Sequence, residues 1–406
     1  MSSIWDIIIV GGGPGGLSAA MYGARSKLRT LLIEKAKTGG QAASTQDMEN
    51  YPGFAKGTTG PALMQAFADH ATSFGAEIMR NEVVSIDAAQ KIVHCKDGSQ
   101  YQGHTIILSP GAIPRTLGVR GEQALRGKGV SYCATCDADF FTDLDIVVLG
   151  NGDAAIEESH YLTKFANSVT IVVIHDEGVL DAAPMLQERA FKNPKINFIW
   201  NSTIQEIKGD GIVEGVVLRN IKTNETTELE TNGVFIYIGT IPLTDFIKGQ
   251  VNLDSRGYII TDERMETSAE GVFAAGDARV TYLRQVVTAA ADGAVAAVAA
   301  EKYIIEEEGF AESVLHESRP VAVAFWTPMI PKCIEIMPVI ETAIAAYGTQ
   351  AKLWKLDTYR NQRVAKRYGV VEQPTVLFFH QGVVVNRLVE DEITPAAIKG
   401  ILDSIL

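Results

Sequence analysis

Four cysteines in 406 residues, Cys95, Cys133, Cys136 and Cys333, are too few to staple a secreted scaffold, and their scarcity points to a reducing compartment. Basic residues are also short: 36 lysines and arginines stand against 49 acidic residues, for a formal net charge of −13. Nucleic acid and anionic membrane both require a positive surface, so neither is expected as a partner. No run reaches the ~20 apolar residues of a membrane span. The opening MSSIWDIIIV lacks a basic region, an apolar stretch of signal length and a cleavage site, so the expectation is a soluble cytoplasmic protein.

What is abundant is glycine, 37 residues, within a chain that is 46 % hydrophobic and long enough for two or three domains, a profile suited to α/β architecture. Two segments repeat one design. DIIIVGGGPGG from Asp6 and DIVVLGNGDAA from Asp145 each place a β-branched run before a glycine turn that opens a helix. A third apolar strand, GVFAAGD, ends at Gly276-Asp277 and leads into an alanine-rich helical run from Gln285 to Tyr303. Alternating strands and helices predict parallel sheets, and two glycine turns predict two doubly wound, Rossmann-like units.

In the first turn, Gly11-x-Gly13-x-x-Gly16 follows the strand Ile7 to Val10, and Glu34 closes the next strand 23 residues after Gly11. This is dinucleotide geometry: Gly11 allows the tight turn, Gly13 lets backbone approach a pyrophosphate, and Gly16 permits close helix packing. Glu34 is placed to accept from a ribose 2′-OH. In the second turn Gly150-x-Gly152-x-x-Ala155, with Asp153 and Ala154 opening the helix and Glu157 and Glu158 following, repeats the pattern, so a pyrophosphate-bearing ligand fits there too.

Cys133-Ala-Thr-Cys136 spaces two thiols for a small disulfide ring, and a helix start there would lower a thiol pKa. Half of a zinc site is the alternative, but no second CxxC or paired histidine is at hand, and no metal is expected. Asp137 follows directly. Its carboxyl can shuttle the proton that a leaving thiolate needs, or it can act as a helix cap.

These residues carry a resemblance. From Asp6 to about Tyr303 the chain resembles the low-molecular-weight thioredoxin reductases, FAD-dependent disulfide oxidoreductases, through GGGPGGLSAA, GGQ at Gly39 to Gln41, ENYPGF at Glu49 to Phe54 and SYCATCDADFF at Ser131 to Phe141. GNGDAAIEE, GVFAAGDA and RQVVTAA at Arg284 to Ala290 continue it. The resemblance implies an FAD domain, 1–115 and 244–305, split by an inserted nucleotide domain, 116–243, that carries the CxxC. It places Gln41, Asp277 and Gln285 against FAD, together with Pro14, Gly15, Gly40, Asn50, Gly111, Gly276, Arg284 and Val286. It assigns Cys136 to the flavin side and Cys133 to attack on the substrate, and it implies a homodimer.

The family's NADPH enzymes carry His-Arg-Arg after the next strand, with a further Arg four residues on. This chain has Val173, Ile174 and His175 in that run and Val179 at the later position. Without guanidinium groups no bidentate grip on a 2′-phosphate exists, and Asp176 and Glu177 are expected to repel it. NADPH is therefore expected to bind poorly. NADH is the simplest donor, with a non-nicotinamide donor left open.

Acidic residues accumulate over 306–318, read as a linker. Beyond it, 319–406 follows a β-α-β-α-β-β-α order and resembles thioredoxin: FW, Cys333, Pro338, KLD at Lys355 to Asp357, YGV at Tyr368 to Val370, and QPT around Pro374. Its chemistry is missing. Ile330 stands where the attacking cysteine belongs, Met329 replaces the flanking Trp, Ala324 replaces the buried carboxylate, and Glu390 replaces a groove glycine. Cys333 matches the shielded thiol, and a lone buried cysteine is usually an inert small hydrophobe. The reading is a flavoprotein disulfide reductase acting on an external thioredoxin-like protein or other disulfide, with a redox-inactive tail for docking or assembly. Its rivals are supply from ferredoxin or another flavoprotein, and a non-enzymatic redox-sensing scaffold.

Overall fold

The computed structural model describes residues 4–44, 48, 50–54, 58–359 and 361–406. The chain divides into two compact units, Met1–Glu301 and Lys302–Leu406.

In the first unit, the run Trp5–Val10 forms a strand in which Ile7, Ile8 and Ile9 are wholly buried. Burial on both faces is why the sequence reads as continuous β-branched residues without alternation. Thr30–Glu34 pairs with it in parallel on one side and Gln100–Leu108 on the other, with Val10 opposite Ile33 and Leu108. Val272–Ala274, from far downstream, then joins Gln100–Leu108 in parallel, Val272 opposite Ile106. The chain thus leaves the first sheet and returns to complete it.

Between departure and return lies a second parallel sheet, in the order Ile196–Ile199, Ser168–Val172, Asp145–Leu149, Gly233–Ile236, Val130–Ser131. The antiparallel strands Ala112–Pro114 and Thr240–Pro242, Ile113 opposite Ile241, mark where the chain passes out to the inserted domain and back.

The second unit is a four-stranded sheet in the order Lys352–Asp357, Val321–Trp326, Thr375–His380, Val383–Val389. The first pair is parallel and the others antiparallel, with helices Pro331–Ala345, Gln362–Arg367 and Pro395–Ile405. The Gln373–Pro374 peptide is cis.

Residues 306–318, expected as a linker, are helical as far as Leu315: helix Val286–Phe310 is followed by a π-helical stretch, Ala311–Leu315. The acidic residues that weakened the apolar pattern have distant partners. Arg363 donates to Glu306 at 2.6 Å and Arg367 to Glu307 at 2.7 Å, while Phe310 and Val314 are buried in the second unit's core. Among the described residues no helix is long and apolar enough to cross a membrane.

Candidate functional site

The first glycine turn is shaped by close backbone approaches. Gly11 sits at φ +101°, and a Cβ there would lie 2.1 Å from the Ser109 carbonyl oxygen, so only glycine fits. A Cβ on Gly16 would come within 1.9 Å of the Gly11 oxygen. Gly13 differs: it precedes helix Pro14–Arg25, and nothing stands within 4 Å of where its Cβ would be. That open space beside free helix N–H groups is where a pyrophosphate would be received. Glu34 is already employed, its carboxylate accepting from the Gly12 N–H at 2.7 Å and the Ala36 N–H at 3.0 Å, with lone pairs left over for a ribose.

This turn opens onto a cavity of about 1510 Å³, larger than a typical small-ligand pocket. Gly13, Pro14, Gly15, Glu34, Gly40, Gln41 and Asn50 line it from the first segment. Gly111, Gly276, Asp277, Arg284, Gln285 and Val286 line it from the later ones. All the residues assigned to FAD therefore meet here except Gly11 and Gly16, which shape the turn from behind. Of the ENYPGF run, Glu49 lies outside the described residues.

Asp277 is mostly buried, and its carboxylate has no hydrogen-bond partner among the described residues. Burial pushes its pKa up to about 6, Arg284 pulls against the rise, and Asp292 adds to it. Asp292 is itself held by Arg279 in a fork of 2.6 and 2.7 Å. A buried acceptor facing an open cavity suits a hydroxyl-bearing ligand, so the residues present fit the ribityl chain of FAD.

Cys133 and Cys136 are joined as a disulfide at the start of the short helix Ala134–Asp137, and both line the same cavity. The Gln285 amide holds this turn: it donates to Thr135 Oγ1 at 3.0 Å, accepts from Asn50 at 3.0 Å, and lies 3.7 Å from Cys133 Sγ and 3.9 Å from Cys136 Sγ. The disulfide is therefore presented to the space framed by the first glycine turn.

Asp137 makes no capping hydrogen bond; it accepts from Ser131 Oγ at 2.6 Å. The helix-cap alternative fails on that geometry. Burial raises its pKa, with Ser131 opposing and Asp139 adding, so the carboxyl holds its proton longer than an exposed Asp would.

Several residues here were not singled out from the sequence. Ser131 orients Asp137. Glu122 is fully buried and accepts from the Leu117 and Gly118 N–H groups and from Tyr132 OH, at 2.9, 2.6 and 2.6 Å. Arg126 stacks over Tyr132 and donates to Gln41 at 3.0 Å, tying the inserted domain to the first segment. Ser131 and Tyr132 flank the CxxC directly and could have been found by position; Glu122 and Arg126 carry no local signal.

The second glycine turn stands apart from this cavity. Gly150, at φ +142°, makes the turn, Gly152 precedes helix Asp153–Leu162 with open space around it, and Ala154 and Ala155 follow within the helix. Asp153 is occupied by the Ala183 N–H at 2.6 Å. Where the family's arginines would stand, Ile174 and Val179 are 48 % and 49 % exposed. The expected repulsion from Asp176 needs correcting, because Lys222 pairs with that carboxylate and offsets its charge. Asp181 is likewise engaged, by His175 at 3.1 Å and Asn151 at 3.0 Å.

In the second unit Ile330 precedes helix Pro331–Ala345 at the place of an attacking cysteine. Cys333 is 0 % exposed, and burial pushes its thiol pKa up. Lys332 bridges to Glu390 and Asp391 at 3.6 and 2.8 Å, and Glu390, at φ +45°, donates its N–H to the Pro374 carbonyl at 2.9 Å.

Comparison with known proteins agrees with this geometry. Residues 5–293 match the family described as pyridine nucleotide-disulphide oxidoreductase, and residues 301–403 match thioredoxin. A thioredoxin reductase of Peptoclostridium acidaminophilum is 53 % identical over 75 % of this chain and 98 % of its own length. A bifunctional thioredoxin reductase/thioredoxin of Mycobacterium leprae is 37 % identical over 95 % of this chain and 94 % of its own. Among solved structures, thioredoxin reductase from Streptococcus pyogenes superposes with a TM-score of 0.72 at 42 % identity, covering 75 % of this chain and all of that one. The chain belongs to the pyridine nucleotide-disulphide oxidoreductases, as a flavoprotein disulfide reductase of the thioredoxin reductase type that continues into a thioredoxin domain without its nucleophilic cysteine.

Proposed function

We propose that the protein takes electrons from NADH in preference to NADPH, passes them by way of FAD to Cys133–Cys136, and delivers them to an external thioredoxin or another disulfide protein. The observation that carries this reading is the disulfide held by Gln285 at the mouth of the cavity that the first glycine turn frames. FAD, when bound, would supply the two-electron link between donor and disulfide. Gly13 and the helix start behind it would receive its pyrophosphate, and Asp277 would accept from its ribityl hydroxyls. In the reduced dithiol, Cys133 attacks the partner's disulfide, Asp137 protonates the departing thiolate, and Cys136 resolves the mixed disulfide by exchange. The second unit serves as a docking or assembly domain, and a cytoplasmic homodimer belongs to the same reading.

A second reading, electron supply from ferredoxin or another flavoprotein, is favoured by the exposed Ile174 and Val179 in place of phosphate-binding groups. Anaerobic titration of the holoprotein with NADH and with NADPH, following flavin absorbance, separates the two. Bleaching by stoichiometric NADH supports the first; no bleaching by either nucleotide, with rapid bleaching by reduced ferredoxin, supports the second. Catalytic turnover with external thioredoxin separates both from a redox-sensing scaffold.

A further inference from the structure

Behind the redox disulfide lie two polar groups that the reaction described so far does not use. Glu158 lies on helix Asp153–Leu162, against which the CxxC helix Ala134–Asp137 packs, and Tyr237 directly follows strand Gly233–Ile236. Glu158 Oε2 and Tyr237 OH are both shielded from solvent, and neither has a hydrogen-bond partner among the described residues. Both line the cavity that also receives Asp137 and the disulfide. A domain normally satisfies such groups or leaves them out, and two orphans lining the same cavity as a reacting pair point to a role in the reaction.

The surroundings suit proton storage. Glu158 forms no ion pair with any lysine, arginine or histidine among the described residues, and its charged neighbour is Glu157 on the same helix, so burial and like charge keep its proton on. Tyr237 feels the carboxylates of both Glu158 and Asp137, and the Ala134 N–H faces its hydroxyl oxygen without closing a hydrogen bond of good geometry. Asp137 in turn is acted on by Ser131 and Asp139. No basic group interrupts the series.

We propose that Glu158 and Tyr237, joined by water that enters from the adjoining cavity during turnover, resupply the proton that Asp137 gives away during disulfide exchange. This rests on the reading of Asp137 as the acid. When the Cys133 thiolate attacks, a bond forms from its sulfur to one sulfur of the partner as the partner's S–S bond breaks. The departing thiolate takes the proton of the Asp137 carboxyl. Tyr237 then passes its hydroxyl proton through water to Asp137 and regains one from Glu158, which is left as carboxylate until solvent reprotonates it. No electrons move in the relay, and its sum is one proton carried from solvent to the partner's thiol. Glu158 acts through Asp137 and touches no reacting atom, so its effect shows only where solvent protons are scarce.

The test uses holoprotein reduced with dithionite, so that the identity of the donor does not enter. Reoxidation by an external oxidised thioredoxin is followed by stopped flow from pH 6 to pH 8.5, in H₂O and in H₂O–D₂O mixtures. Glu158→Gln and Tyr237→Phe are expected to match the parent at pH 6 and to fall about tenfold behind it at pH 8.5. The parent's bowed dependence of rate on deuterium fraction is expected to become linear in both. Glu158→Asp should recover part of the lost rate, and Asp137→Asn should be slow at every pH. Variants that keep the parent's pH profile, or that lose rate equally at all pH values, overturn the relay while a slow Asp137→Asn preserves the acid. An Asp137→Asn protein as fast as the parent overturns the acid itself. Should Glu158→Gln lose its flavin, Tyr237→Phe is judged alone by the same criteria.

Discussion

The chain places a cysteine at the start of a helix twice, and the two positions have opposite surroundings. Cys133 precedes Ala134–Asp137 and, with Cys136, opens onto a cavity of about 1510 Å³ beside a proton-holding aspartate and a glutamine amide that touches both sulfurs. Cys333 lies inside Pro331–Ala345 with no solvent exposure and no second thiol, while Ile330 holds the outer position and Lys332 is drawn into ion pairs with Glu390 and Asp391. A helix N-terminus favours a thiolate at either place. Access, a partner sulfur and a proton source decide which cysteine reacts. What has been lost from the second unit is chemistry, since its sheet order, its cis-proline and its two apolar cores remain intact.

The sharpest way to break this comparison is to remove the reactive member. Cys133→Ser is expected to lower turnover with an external thioredoxin by at least ~10³-fold, because serine neither forms the disulfide nor acts as thiolate. Flavin content and thermal melting should stay at parental values. Turnover retained in this variant would place the redox centre elsewhere, with Cys95 and Cys333 the free thiols to examine.

The two glycine turns form a parallel pair, and the donor experiment bears on it. Steady-state kcat/KM is expected to favour NADH over NADPH by on the order of 100-fold, for want of charge-assisted bonds worth ~1.5–3 kcal/mol each. Installing Ile174→Arg together with Val179→Arg should narrow the preference about tenfold or more. Lys222 is the group most able to spoil this, since a lysine released from Asp176 could meet a phosphate. If NADPH is the better donor, Lys222→Ala will show whether that lysine is responsible.

A third effect separates the FAD side from the rest of the molecule. The folded-state pKa of Asp277, about 6, stands above the ordinary value of 3.8, so folding favours its protonated form. Its contribution is complete below pH ~4 and is lost as pH rises through 6; a shift of about 2 units corresponds to roughly 3 kcal/mol, to order of magnitude. FAD-free parent protein should therefore lose stability relative to Asp277→Asn between pH 4.5 and 7.5, as read by urea unfolding. Added FAD should shrink that difference by offering hydroxyl donors to the carboxylate. A pH-independent difference would show that Asp277 is solvated in the apoprotein.

How much of this could be read from residues alone follows the range of each signal. The glycine turns and CATC are local spacings with one geometric solution, so the turn at Gly11 and Gly13 and the pairing of Cys133 with Cys136 were legible in the sequence. The return of Val272–Ala274 to the first sheet was legible because GVFAAGD has the same strand-then-turn form as the opening segment. Residues 306–318 were misread because Glu306 and Glu307 look like solvated charge until Arg363 and Arg367 come round to meet them. Asp176 was misjudged for the same reason, its partner Lys222 lying 46 positions away. Glu158 reads only as part of the second glycine-turn pattern, beside Glu157, and Tyr237 carries no pattern; burial, which tertiary packing alone creates, is what distinguishes them.

The smallest expected effect returns to the other member of the opening pair. Cys333→Ala removes a sulfur that packs as a small hydrophobe and has no thiol within its own unit to bond with. Turnover of the full chain with external thioredoxin should stay within about twofold of the parent, since every group assigned to electron or proton transfer lies between Gly11 and Val286. Stability should drop by ~1 kcal/mol, the usual result of a small cavity in a well-packed core. The contrast with Cys133→Ser is then a loss of at least ~10³-fold at one helix start against almost none at the other. Should Cys333→Ala abolish turnover while flavin and the Cys133–Cys136 disulfide persist, burial has been a poor guide to reactivity here. Cys333 would then be a single-thiol relay, exposed during the cycle, and the second unit would be a carrier of electrons where a docking surface was inferred.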